Sequence, residues 1–317
     1  MDTNAELAYI SSMWGDFPKQ SAPPLLAHYT SLSTIEKILN ARQFWLSNPL
    51  YMNDLEELRF GMHVGAMVFR TSDALRLACG TEDRHEQLIA FFDTLFSEYD
   101  RTQALDAYVL CLSEHDASNT DGVLAMWRGY GAYGTGAALL LNLASLPPFE
   151  DSALLLGQVV YASQEQRQSW METRVSALAA EIDAYEKTDM NLEAAARTWF
   201  ERLKVFAIFS KHPGFSEERE WRVVYMRERD QRDRLSDSLG YLVSDHGVEP
   251  KLKLPFSTLS QSADPKQMNL SLLAGLILGP SQSGLLAQAS IRRMVSVLGH
   301  DNLAPNLWAS TIPFRNR

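Results

Sequence analysis

The sequence has few of the residues that covalent or metal cross-links require. Only two of its 317 residues are cysteine, Cys79 and Cys111, and they lie far apart along the chain. This spacing excludes a disulfide framework and a paired-thiol zinc site, and it indicates a reducing compartment. No apolar stretch reaches the roughly 18 residues of a membrane span, and no basic region followed by an apolar core opens the chain. We therefore expect a cytoplasmic protein with no membrane partner.

Positive charge is also scarce. The chain has 29 Lys and Arg against 39 Asp and Glu, a formal net charge of −10. No global basic field would attract nucleic acid or anionic lipid, so any nucleic-acid target would need a local basic groove. The motifs GxxxxGK[ST], HExxH and GxSxG are all absent, which leaves a P-loop nucleotidase unsupported. A catalytic triad stays open, because its members need not be close in sequence.

Apolar residues, in contrast, are plentiful. They make up 46% of the chain, and seven Trp, eleven Tyr and fourteen Phe exclude a disordered class. Several strand-like runs are short, the helices are grouped in insertions, and strands and helices do not alternate regularly. This order predicts an α+β fold rather than a doubly wound α/β sheet. We expect one domain over 1–317, with a leader at 1–22 and a helical insertion at about 164–208.

A glycine-rich segment, GYGAYG, spans residues 129–134. It formally matches the GxGxxG pattern of dinucleotide-binding loops, but that fingerprint opens a helix, whereas this segment leads into the strand-like run TGAALLLNL. We therefore predict a glycine turn between two elements.

Two other stretches contain candidate site residues. In LAHYTSLSTIEKILN, the step from His28 to Thr30 ends a short strand, and Ser31 or Ser33 then caps a helix. In SEEREWRVVY, Glu218 and Glu220 are predicted to share one face of a strand, because side chains alternate with period two. Such a pair can hold one carboxylate against a sugar hydroxyl while the other aligns a nucleophile.

Both stretches also have simpler structural interpretations. A histidine in a strand is more often a hydrogen-bonded core residue than a functional one. Glu218 and Glu220 with Arg219 and Arg222 can form a cross-strand ladder of ion pairs on a solvent-exposed face of the sheet, which would add little stability.

The first stretch resembles the first strand-helix-strand unit of ADP-ribosyltransferases of the diphtheria-toxin and poly-ADP-ribose polymerase group. The run from Glu220 to Tyr225, EWRVVY, is similarly like the strand that holds that group's catalytic glutamate. The resemblance implies an ADP-ribosyltransferase-like split mixed β-sheet core with helical insertions. Tyr29 departs from the glycine usual in that group, so the backbone contact to nicotinamide requires the tyrosine ring to turn away.

The same resemblance implies site roles. His28 would bond a ribose of NAD, Tyr29 and Thr30 would contact the nicotinamide amide, and Glu220 would bond the ribose 2′-hydroxyl beside the leaving nicotinamide. A carboxylate at that place stabilises the oxocarbenium-like charge of the transition state.

Three further residues complete this predicted site. Glu218 would orient the acceptor of ADP-ribose. Arg128 and Tyr130, in MWRGYG, could supply a phosphate clamp and a stacking ring for the cofactor.

A second resemblance spans nearly the whole chain. The series HYTS, WLSNPLYMND, VLCLSEHD, MWRGYG, HPGFSEEREWR, LILGP and STIPFR is similar to the bacterial family known as domain of unknown function 2971. This family brings little established biochemistry, so it does not by itself predict a reaction.

Three functions remain open. The leading hypothesis is an NAD-dependent ADP-ribosyltransferase-like enzyme, a bacterial toxin or phage-defence effector, that hydrolyses NAD or modifies a protein or nucleic acid. A non-catalytic binding or regulatory module would instead pair Glu220 with Arg222 or Arg219. A metal-dependent nuclease would use Asp54, Glu56 and Asp116.

Overall fold

A computed structural model describes residues 23–52, 55–101, 106–143, 153–184, 189–230, 232–244, 247–259, 264 and 271–314. The strands are β1 (Leu25–Thr30), β2 (Gln43–Ser47), β3 (Ala107–Glu114), β4 (Ala137–Asn142), β5 (Leu154–Gln158), β6 (Val160–Tyr161), β7 (Ser210–Lys211), β8 (Glu220–Met226), β9 (Leu239–Ser244), β10 (Gly247–Pro255), β11 (Leu273–Leu278) and β12 (Leu307–Ala309). The α-helices are α1 (Leu32–Ala41), α2 (Leu55–Arg70), α3 (Asp73–Cys79), α4 (Glu82–Arg101), α5 (Leu124–Gly129), α6 (Gln164–Ala184), α7 (Asp189–Phe209) and α8 (Leu285–Val297). Short 3-10 helices include Pro49–Tyr51, Ala132–Gly134 and Pro213–Glu218.

Contacts along the backbone divide the chain into two compact units. The helical unit comprises the described parts of 48–107 and 159–216, and the sheet unit comprises those of 23–47, 108–158 and 217–314. None of the helices in the described part of the chain combines the length and the apolar character that crossing a bilayer requires.

The helical unit contains α2, α3, α4, α6 and α7, together with the parallel pair of β6 and β7. Aromatic rings fill its interior: the centroids of Phe69 and Phe92 lie 4.6 Å apart, and Trp199 stacks on Phe69 at 6.1 Å. The helix pair predicted for 164–208 is present as α6 and α7.

The sheet unit is built on a ten-stranded, mostly antiparallel sheet. Its strand order is β12-β11-β4-β1-β3-β2-β10-β9, and β8 adds to β3 while β5 adds to β8. Among the described ladders of this sheet, only β11 and β12 pair in parallel. This mixed architecture confirms the predicted α+β class.

The helix α1 follows from its sequence. The Ser31 hydroxyl accepts a hydrogen bond from the Thr34 N–H at 3.1 Å, so the first of the two predicted serines is the N-cap. Ile35, Ile38 and Leu39 are buried on one side of α1, as their helical spacing predicts. These residues pack on one face of the sheet, which we call the α1 face, with side chains such as Leu26, Phe44 and Trp221.

The opposite face of the sheet, which we call the α5 face, has a smaller apolar cluster. Tyr29 and Ala27 of β1 pack there with Met126 and Trp127 of α5. Because successive side chains of a strand point to opposite faces, neighbouring residues of β1 contribute to different clusters.

The strand β1 separates from β3 part-way along its length. It pairs with β3 at Leu26↔Glu114 and Ala27↔Ser113, and β2 pairs with β3 at Ser47↔Val109. At the point of separation, the His28 ring nitrogen Nδ1 lies 3.1 Å from the Cys111 carbonyl oxygen. Because a carbonyl only accepts, Nδ1–H is the donor. The His28 side chain therefore bonds a β3 carbonyl next to the residues where the backbone pairing of β1 with β3 ends.

Candidate functional site

Glu220, the carboxylate that the sequence places first among the catalytic candidates, is held in an ion pair. Arg222 Nε lies 2.7 Å from Glu220 Oε1, and Arg222 Nη2 lies 3.1 Å from Oε2. The two residues are 4% and 5% exposed. This bidentate pair is buried, in contrast to the exposed ion-pair ladder that the sequence suggested.

Side-chain alternation in β8 sets the direction of this pair. Trp221, Val223 and Tyr225 belong to the cluster on the α1 face, so Glu220 and Arg222 project from the α5 face. The Glu114 N–H bonds the Arg219 carbonyl at 2.9 Å, and the rings of Tyr108 and Tyr225 are 6.2 Å apart, so β8 runs antiparallel to β3. Continuing this register places Glu220 beside Ser113.

His28 lies on the other face. It has the same parity in β1 as Leu26, and its ring meets Phe44 edge-on at 6.3 Å, within the cluster on the α1 face. Burial lowers the pKa of His28, and the bond to the Cys111 carbonyl opposes this shift only in part. The structure therefore does not bring His28 and Glu220 to one surface, and Thr30 shares the parity of His28.

Glu218 is not part of β8, so the prediction that Glu218 and Glu220 share one face of a strand is wrong. Pro213–Glu218 forms a 3-10 helix, and Arg219 adopts a left-handed φ of 41° before β8 begins. This turn re-aims the half-buried Glu218, whose Oε1 accepts a hydrogen bond from the Tyr130 hydroxyl at 2.9 Å.

The bend at Arg219 is anchored to the end of β3. The Ser113 hydroxyl donates to the Glu218 carbonyl at 2.7 Å. The Arg219 side chain donates to the Glu114 carbonyl at 3.3 Å, and its Nη1 lies 3.7 Å from the Glu114 carboxylate. Because Arg219 is fixed at both its backbone and its side chain, the position of Glu218 is defined by β3 rather than by a free loop.

Tyr130 belongs to the glycine segment 129–134, which the structure confirms as a turn from α5 into β4. Within it, Ala132 and Tyr133 have positive φ values of 48° and 50°, and Gly134 follows at 80°. Left-handed non-glycine residues are costly and recur at ligand-binding sites. Tyr130 and Tyr133 are exposed, as is Arg128, which has no hydrogen bond or ion pair with any residue that the structure describes.

Tyr29 supports this turn from the α5 face. Its ring meets that of Trp127 edge-on at 4.8 Å, and its hydroxyl accepts the Val123 N–H at 3.0 Å. Burial raises the pKa of Tyr29 to about 12; the bond from Val123 and the nearby positive charge of Arg219 oppose the shift. Tyr29 therefore stays protonated at neutral pH.

The structure thus groups the predicted site residues differently from the sequence. Tyr130 and Glu218 are in contact, Arg128 lies two residues from Tyr130 on the same turn, and Glu220 and Tyr29 lie on the same side of the sheet. Sequence reasoning missed the left-handed turn at Arg219 and the anchor at Glu114. No local motif signals either, because both depend on pairing between segments 105 residues apart.

Within the part of the chain that the structure describes, no group of three or more His, Cys, Asp or Glu side chains is placed to hold a metal ion. Asp116 accepts hydrogen bonds from both the backbone and the hydroxyl of Ser118. Asp54 and the side chain of Glu56, the other residues of the nuclease hypothesis, lie outside the described residues.

Residues 126–223 match the family described as a protein of unknown function, DUF2971. The matched segment includes Trp127, Tyr130, Glu218, Glu220 and Arg222, and it confirms the resemblance to this family over that stretch. No curated protein and no solved structure matches the chain.

Proposed function

We propose that the sheet unit is a binding module for a phosphorylated, ring-bearing ligand of the nucleotide class, with NAD as the leading candidate. The observation that carries this proposal is the contact of the Tyr130 hydroxyl with Glu218 at 2.9 Å, two residues from the exposed Arg128. A guanidinium without a partner among the described residues, an exposed ring and an accessible carboxylate are the three groups that recognise a phosphate, a base and a ribose.

Each group has a distinct role in this proposal. Arg128 binds the phosphate through its planar fork of donors. Tyr130 and Tyr133 offer exposed rings that can stack on the base or the nicotinamide. Such stacking accepts any base, because every base has a π-face. Glu218 accepts from a ribose hydroxyl in addition to Tyr130, because a carboxylate has about four acceptor positions.

Binding without turnover is favoured by the state of Glu220. A carboxylate that stabilises a cationic transition state must face the reacting carbon, but both oxygens of Glu220 contact the Arg222 guanidinium inside the sheet unit. Releasing Glu220 would break this buried bidentate ion pair, which costs several kcal/mol.

A second candidate is NAD consumption of the ADP-ribosyltransferase type. It is favoured by the accessibility of Glu218 and by the separation of β1 from β3 at His28, a feature to be expected of a split sheet. In this reaction the bond between nicotinamide and ribose breaks, nicotinamide leaves with the electron pair, and water or a nucleophile of a protein or nucleic acid bonds the ribose carbon. Such an enzyme would suit a toxin or a phage-defence effector, by analogy alone.

One experiment separates the two candidates. NAD is titrated into the purified protein by calorimetry, and nicotinamide release is followed in parallel. Binding without release supports the module, and release that is lost in Glu218→Gln supports the enzyme. If the protein neither binds nor consumes NAD or other nucleotides, both candidates fail.

A further inference from the structure

The helical unit contains a cleft that the function proposed for the sheet unit does not use. Its volume is about 750 Å³, within the range of small-molecule sites. The cleft is lined by the first part of α2, the start of α6 and the residue after β7, through the side chains of Arg59, Phe60, His63, Ser163, Gln164, Glu165, Arg167 and His212.

Two arginines give the cleft a positive character in a chain of net charge −10. Arg167 is only 4% exposed, and its guanidinium lies over the Phe60 ring at 4.6 Å. Stacking on an aromatic ring fixes the plane of a guanidinium, which carries five N–H donors in that plane. Arg59, by contrast, is exposed at the rim. The pair therefore offers one pre-oriented and one adaptable partner for an anion.

The two histidines of the cleft present opposite hydrogen-bonding groups. His63 Nδ1 lies 2.8 Å from the Arg59 carbonyl oxygen, so Nδ1–H donates and, in the neutral ring, Nε2 is an acceptor. His212 Nδ1 accepts the Gly214 N–H at 3.0 Å, so its Nε2–H is a donor. The tautomers follow from the backbone partners, and they equip the cleft for a ligand with both acceptor and donor groups.

The start of α6 adds both positive charge and a hydrogen-bond acceptor to the cleft. The Ser163 N–H bonds Gln166 Oε1 at 2.8 Å, and the Ser163 hydroxyl caps the Gln166 N–H at 3.3 Å, so the positive end of a 21-residue helix is fixed at the cleft. The Ser163 hydroxyl also donates to Glu165 at 2.8 Å and lowers the pKa of that carboxyl. Glu165 is thus an ionised acceptor, suited to hydroxyl groups and unsuited to a second phosphate.

We propose that this cleft binds a hydroxylated phosphate monoester, such as a sugar phosphate. Arg59, Arg167 and the Nε2–H of His212 hold the phosphate. His63 Nε2 and the Glu165 carboxylate accept from the hydroxyl groups. The mixture of cationic donors with two acceptors distinguishes this ligand class from inorganic phosphate, which has no comparable hydroxyl set, and from uncharged sugars.

The test uses the full chain and three probes: ribose 5-phosphate, inorganic phosphate and ribose, each titrated by calorimetry. We expect ribose 5-phosphate to bind most tightly, inorganic phosphate more weakly and ribose not at all. Arg59→Gln should weaken ribose 5-phosphate binding about tenfold, since a charge-assisted hydrogen-bond pair is lost. Arg59 is exposed, so this variant should fold as the wild type does. His212→Gln should weaken binding several-fold.

The matched control is Arg197→Gln in α7, which removes an exposed arginine that pairs with Glu193 and does not line the cleft. It should leave the affinity for ribose 5-phosphate unchanged. Absence of binding by both phosphate probes would overturn the proposal, as would equal losses in Arg59→Gln and Arg197→Gln. Equal affinities for ribose 5-phosphate and inorganic phosphate would overturn the role given to His63 and Glu165.

Discussion

Two carboxylates that lie two residues apart, Glu218 and Glu220, have opposite environments. Glu220 begins β8 and is buried against Arg222, whereas Glu218 ends a 3-10 helix and meets Tyr130 near solvent. The left-handed residue Arg219, anchored to Glu114, separates the two regions. Because the backbone turns at Arg219, Glu220 is a buried structural residue and Glu218 is an accessible one.

The buried side of this comparison gives the largest expected effect. Arg222→Met leaves the Glu220 carboxylate buried without its counter-ion, so we expect the free energy of unfolding to fall by about 3 kcal/mol. Glu220→Gln combined with Arg222→Met should recover part of this loss, because no uncompensated charge remains. Urea unfolding of both variants measures the two values. A loss below about 1 kcal/mol in Arg222→Met would show that the pair is not structural.

A second prediction concerns pH and the α1 face. Burial lowers the pKa of His28 and of His300, whose ring is fully buried and bonds the Leu39 carbonyl at 2.8 Å. In the unfolded chain both histidines are protonated near the ordinary pKa of 6.5, whereas in the folded chain they are protonated only at a lower pH. The contribution of these two neutral histidines to stability is fully present above pH 6.5 and falls as the pH drops below that value.

The size of this loss is about 1.4 kcal/mol per pH unit for each histidine that stays neutral in the folded state. Urea unfolding at about pH 7.5 and about pH 5.5 measures it. We expect His28→Gln to reduce the difference between the two conditions. A variant with the same pH dependence as the wild type would place the titrating groups elsewhere.

The accessible side gives the smallest effect on stability. Glu218→Gln keeps an oxygen that can accept from Tyr130 and removes only a half-buried charge, so the free energy of unfolding should change by no more than about 0.5 kcal/mol. Thermal unfolding beside Arg222→Met tests the contrast directly. Comparable losses in the two variants would remove the distinction between the two carboxylates.

Local sequence signals predicted the local structure well. The spacing of Ile35, Ile38 and Leu39 and a serine cap at the start of the helix predict α1, and the structure confirms both. These features depend on residues a few positions apart, so a single sequence contains them. Other short strands, such as β9 and β12, were not anticipated, because a strand of that kind is stabilised by its neighbours in the sheet.

The site could be predicted only in part, for a physical reason. Sequence placed Tyr130 and Glu218 among the candidates, but it could not show that they touch across 88 positions. It also placed His28 with Glu220, and the face on which each lies depends on strand register. A shift of one residue in register moves every side chain of a strand to the other face of the sheet. A motif that resembles a family therefore does not determine whether His28 and Glu220 face the same side.

The central claim is that Glu218, rather than Glu220, is the carboxylate open to a ligand. Calorimetric titration of NAD into the wild type, Glu218→Gln and Tyr130→Phe tests it most directly. We predict that the wild type binds NAD, that Glu218→Gln weakens binding about tenfold, or 1.4 kcal/mol, and that Tyr130→Phe weakens it several-fold. NAD affinity that is unchanged in Glu218→Gln, or no NAD binding by the wild type, would contradict the account.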